Sequence, residues 1–111
     1  MVYVANRGRL MDDEKRPSRS GDGSVSVIDW RTNTVQATWT ILSGGSPDMG
    51  GVSADGATLW LSGRFDNEVY AFDTTTGALR SRIKLKHGQP HGLLVWPQPG
   101  RYSLGHTGIT R

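Results

Sequence analysis

The sequence contains no cysteine, so no disulfide can staple the fold. It has only three histidines, and without thiols a structural zinc site has too few ligands. No apolar stretch approaches the roughly 20 residues that a membrane-spanning helix needs. The first residues, Met1 to Arg7, carry neither a basic leader nor a long apolar core, so no signal peptide is expected there. No nucleophile-base-acid order and no Gly-rich phosphate loop occurs. The last third also lacks acid. Residues 74–111 hold Arg80, Arg82, Lys84, Lys86, Arg101 and Arg111 and no Asp or Glu, while the whole chain is only +3. A basic half can attract phosphates. No nucleic-acid motif accompanies it, and Arg80, Arg82 and Lys84 alternate with apolar or small residues as on a solvated strand face. No nucleic-acid partner is expected.

Glycine is what the chain has in excess, 15 of 111 residues, against a usual level of about 7%. Aromatic and β-branched residues fill the gaps between glycines. That mixture predicts many short strands joined by tight turns.

The strands recur in order. Gly23-Ser24-Val25-Ser26-Val27-Ile28-Asp29 aligns with Asn67-Glu68-Val69-Tyr70-Ala71-Phe72-Asp73. A turn follows each, then an alternating strand, Val35 to Trp39 or Leu79 to Ile83. Ser46-Pro47-Asp48 to Ser53 aligns with Gln89-Pro90-His91 to Trp96. Leu59-Trp60-Leu61-Ser62-Gly63-Arg64 matches Val2-Tyr3-Val4-Ala5-Asn6-Arg7 before it and Tyr102-Ser103-Leu104-Gly105-His106 after it. The period is near 43 residues and holds four short strands and no helical segment. A unit of that length and content is a propeller blade.

The expected fold class is therefore all-β: β-propeller blades of four antiparallel strands in an incomplete ring of about two and a half blades. Strands b, c and d of one blade occupy 2–41 (2–6, 24–29, 34–41). A complete blade occupies 46–85 (48–53, 58–62, 68–73, 78–85). Strands a and b of a third occupy 89–106 (91–96, 101–105). Ala54-Asp55-Gly56 and Thr76-Gly77 supply hairpin turns. Residues 9–22, charged and ending in Ser and Gly, form an insertion between strands b and c of the first blade. It reads as a tolerated surface loop or as a binding lid.

These residues resemble the YVTN-type β-propeller repeat family. Its strand appears here as Val2-Tyr3-Val4-Ala5-Asn6, followed by Val25-Ser26-Val27-Ile28-Asp29. Pro90-His91-Gly92 matches the family's entry to the innermost strand, whereas Pro47-Asp48-Met49 puts Asp48 in the histidine position. The resemblance implies a bacterial or archaeal protein of the periplasm or cell surface. It implies no single activity, because propellers host many. The reading of function is a non-catalytic repeat module for protein or small-ligand binding. The alternative is a fragment of a propeller enzyme, lactonase-like or like the quinoprotein and haem-d1 oxidoreductases.

No catalytic residue, metal ligand or cofactor is assigned. Candidate ligand-binding residues at the channel mouth or rim are His91, Asp48, Arg64, Arg7 and His106, set against turn capping and a local Arg64–Asp66 ion pair as plainer roles. Asp29 and Asp73 are expected to accept backbone N–H bonds in turns. Trp30, Trp39, Trp60 and Trp96 are expected to fill sheet faces or turns. Unfinished blades would expose apolar faces and strand edges. A few hundred Å² lost on each side, at about 25 cal/mol per Å², is on the order of 10 kcal/mol. The expected partners are therefore further copies, closing a ring as a trimer or tetramer, or the missing remainder of the propeller.

Overall fold

The computed structural model describes residues 1–8, 22–43 and 45–97. Within them the chain is all-β, with seven strands in two antiparallel sheets. The first sheet comprises β1 (Val2–Asn6), β2 (Gly23–Asp29) and β3 (Thr34–Ile41), in that order. The second comprises β4 (Pro47–Val52), β5 (Thr58–Gly63), β6 (Glu68–Asp73) and β7 (Leu79–Lys84), also in chain order. Every strand pairs with its neighbour in sequence. Each sheet is a meander, which short turns can connect.

Turn chemistry explains where strands stop. Asp73 Oδ1 accepts the N–H groups of Thr75 and Thr76, both at 2.8 Å, and Gly77 follows at φ 75°. Asp29 does the same for Arg31 at 2.8 Å, with Asn33 at φ 56°. Between β4 and β5, Asp55 accepts the N–H of Ala57 at 2.9 Å, and Gly56 sits at φ 74°. Positive φ is cheap for Gly and tolerated by Asn.

Alternation along the strands decides which side chains meet between the sheets. Val25 and Ile41 from the first sheet pack with Leu59, Leu61, Tyr70 and Phe72 from the second, all buried. Tyr3, Ala5, Trp39, Val52 and Leu79 close around them. Each fully buried Ile, Leu or Phe contributes about 1.5–3 kcal/mol. Trp39 lies between rings, 5.5 Å from Tyr3 and 5.8 Å from Phe72 by centroid. Gly77 also touches it: a Cβ there would stand 2.2 Å from Trp39 Nε1. That turn therefore needs glycine for contact as well as for φ.

One expectation is corrected. Residues 91–96 form no strand. The segment still runs beside the second sheet: the His91 carbonyl accepts the Ser62 hydroxyl at 2.6 Å and the Met49 N–H at 3.4 Å. A strand needs a ladder, and the partner expected for 91–96, at 101–105, lies outside the described residues. So do His106 and, apart from Asp22, the 9–22 insertion.

β7 presents the solvated face expected of it, and its exposed cations also find partners. Arg82 lies 2.7 Å from Glu68 and donates to the Leu42 carbonyl at 2.9 Å. Lys84 donates to the Asp66 carbonyl at 2.7 Å, and Arg80 pairs with Asp73. The cause is cross-strand register, which sets Glu68 opposite Lys84 and Tyr70 opposite Arg82. The tryptophans divide between packed and exposed positions, with Trp30 in the turn after β2. Trp39 is packed, but Trp30 and Trp96 are 59% and 62% exposed. Trp30 lies under the Arg31 guanidinium instead, 5.2 Å away.

Candidate functional site

Four of the five candidate binding residues meet at one carboxylate. Asp48 is the second residue of β4, and its side chain is only 7% exposed. Arg7, just past β1, donates from a terminal nitrogen to Asp48 Oδ1 at 2.9 Å. His91, beyond β7, places Nδ1 2.8 Å from Oδ2. Arg64, in the turn after β5, brings a guanidinium nitrogen to 4.0 Å from the same Oδ2. Phe65 lies beneath both arginines, 5.9 Å from Arg7 and 5.3 Å from Arg64. The site thus draws on the first sheet, the second sheet and the segment after it.

Burial alone would push the Asp48 carboxyl up. The hydrogen bonds from His91 and Arg7, and their charge, outweigh that and hold it below the usual carboxylate range. Asp48 is therefore an anion in the fold, bridging three cationic or basic groups. An imidazole held by a carboxylate at Nδ1 keeps Nε2 for another partner. Among the described residues no set of three His, Asp or Glu converges as metal ligands.

A second layer fixes the turn that carries Arg64. Ser46 is fully buried and bonds in four directions. Its carbonyl accepts the Arg64 N–H at 3.1 Å, and its hydroxyl accepts the Phe65 N–H at 2.8 Å. That hydroxyl donates to Asp66 at 2.9 Å, and the Ser46 N–H reaches the Tyr70 hydroxyl at 3.3 Å. The Tyr70 hydroxyl donates to Asp66 at 2.5 Å. Burial, then the Asp66 carboxylate, pushes the Tyr70 phenol well above its ordinary value. Asp66 is occupied by this network, and Arg64 turns to Asp48 rather than to its sequence neighbour. Nothing in the spacing of Ser46, Asp66 and Tyr70 announces the network. The faint signal is a tyrosine on the inward phase of β6, where a buried phenol requires a partner.

Two cavities adjoin the second sheet. One, about 390 Å³, lies between the sheets, with Tyr3, Ala5 and Val25 on one wall and Asp48, Gly51 and Val52 on the other. The second, about 460 Å³, lies under the segment after β7, between Trp60 and Val69 and the run Leu93 to Trp96. Their linings correspond through the sequence repeat: Tyr3 with Trp60, Val25 with Val69, and Gly50-Gly51-Val52 with Leu93-Leu94-Val95. Asp48 lines the first cavity, so the charged cluster stands at its edge.

No protein-family model matches the chain, and neither does any curated protein. Among solved structures, hydrazine synthase from Kuenenia stuttgartiensis is similar, with a TM-score of 0.56 and 26% identity over 62% of this chain. The chain spans about a fifth of that protein, 19% of its length.

Proposed function

We propose that the chain is a segment of a β-propeller within a larger enzyme, and that the Asp48 cluster contributes to a site assembled from several blades. The observation that carries this reading is the likeness to a fifth of a synthase. The repeat supports it, since β4 covers the first sheet as residues 91–96 cover the second. On this reading the two sheets are successive blades, and 91–96 runs where a third blade would begin. Asp48 and His91 then hold equivalent places at the mouth of the channel, with Arg7 and Arg64 at the rim. Hydrazine synthase is named for its product, and that chemistry is not carried over, because so small a share of its chain corresponds.

A non-catalytic binding module is the second reading. The make-up of the cluster favours it: the four side chains ion-pair and hydrogen-bond with one another. A cell-envelope setting belongs to both readings and rests on the YVTN resemblance alone.

Both readings need neighbouring blades. Val35, Ile83, Leu94 and Trp96 are large apolar side chains left exposed, and such surface is normally covered. Light scattering after size exclusion tests this on the isolated chain. The expected result is a discrete mass of three or four chains, giving six or eight blades, or self-association without a discrete mass. A monodisperse monomer that unfolds cooperatively overturns the propeller reading.

A further inference from the structure

Arg7 and Arg64 occupy equivalent places in the repeat but are used differently. Arg7 is hydrogen-bonded to Asp48 Oδ1. Arg64 stands 4.0 Å from Oδ2, beyond hydrogen-bonding reach, and that oxygen is already held by His91. Arg64 Nε is buried with no hydrogen-bond partner among the described residues. The nearby carboxylate of Asp66 is engaged by Ser46 and Tyr70. Arg64 is thus a cation whose donors the fold has left largely unspent.

Its surroundings suit a ligand. The guanidinium plane rests against Phe65, and the backbone beneath it is clamped by Ser46. Its side chain is 28% exposed and that of His91 is 50% exposed, so both can be reached from solvent. Two guanidiniums against one carboxylate leave the cluster at +1 with His91 neutral. Because nothing holds the Nε–H, a small swing of Arg64 that presents its planar fork breaks no hydrogen bond. That fork matches carboxylate and phosphate oxygens two at a time.

We propose that Arg64, with Arg7 beside it, binds a small oxyanion, the carboxylate or phosphate group of a ligand. This deepens the reading of the cluster as a binding site and rests on it. Asp48 is then the resident anion. It holds Arg7 and His91 in place and competes for the arginines with any incoming one.

The test is an NMR titration of the full chain, following the Arg64 Nε–Hε and His91 ring signals. Sodium acetate and inorganic phosphate are added separately, with ionic strength held constant by chloride. A saturating shift at Arg64 with either anion is the expected result. Acetate alone would identify a carboxylate ligand, and phosphate alone a phosphorylated one. Arg64→Gln should weaken binding roughly tenfold or more, the worth of a charged hydrogen bond. Arg64→Lys, which keeps the charge but loses the fork, should fall between Gln and the natural chain. Asp48→Asn should tighten binding by removing the competitor. A shift that stays linear, or that survives Arg64→Gln in a variant with an unchanged amide spectrum, overturns the proposal. A chain that assembles into a ring yet binds no anion would refute this site and leave the propeller reading standing.

Discussion

The join between the two sheets and the join between the second sheet and residues 91–97 are built from repeat-equivalent residues, yet they differ in finish. At the first, β4 is a full strand in a ladder, and rings from both sides pack together, with Trp39 between Tyr3 and Phe72. At the second, the covering segment forms no ladder among the described residues, and Leu94 and Trp96 remain mostly exposed. Side-chain pattern alone brings a segment to the right face. Backbone pairing is what turns that approach into a packed interface.

The comparison can be broken most severely at the finished join. Phe72→Ala should cost about 3–5 kcal/mol, because the ring is fully buried and the site cannot collapse around the loss. Chemical denaturation should show the midpoint falling with an unchanged slope.

The ion cluster that spans both joins should give a smaller effect. Asp48→Asn removes charge-assisted bonds to Arg7 and His91 and should destabilise by about 1–3 kcal/mol near neutral pH. The sign with pH follows from the lowered Asp48 carboxyl. Its contribution is full above the ordinary value of 3.8 and is lost as pH falls through the lower folded value. Stability curves of the natural chain and of Asp48→Asn should therefore converge on acidification. The lowered carboxyls of Asp55 and Asp73 leave some acid sensitivity in both. Parallel curves would mean that Asp48 is not the anion described. The smallest effect belongs to the unfinished join, where Trp96→Ala should change stability by no more than about 0.5 kcal/mol. A cost approaching that of Phe72→Ala would show that the second join is packed after all.

Much of this was legible in the sequence, and the illegible part has one cause. Turns are local, so Asp73 with Gly77, and Asp55 with Gly56, announce themselves. Strand alternation is local too, and it separates Val25 from Ser24 and Tyr70 from Val69. The repeat also singled out Arg7, Asp48, Arg64 and His91 as equivalent or matching positions. Their meeting at a single carboxylate was not legible, because it depends on how one sheet lies on another. Sequence proximity pointed Arg64 at Asp66, but Ser46 and Tyr70, from elsewhere in the fold, had claimed that carboxylate. Cross-strand register likewise decided that Arg82 and Lys84 would stand beside Glu68. Short-range chemistry sets the elements, and long-range partners set the charges.

The contact of Arg7 with Asp48 has a consequence for folding fidelity. A chain of similar units risks docking them in the wrong order, since one apolar face resembles the next. Here the equivalent positions are not identical. Asp48 stands where the following unit has His91, and only Asp48 gives Arg7 an obligate anion. Skipping a unit would set a guanidinium against an imidazole and leave the carboxylate buried without its partner. The ion pair thus labels the first junction, so that units of similar shape assemble in the order in which they are encoded.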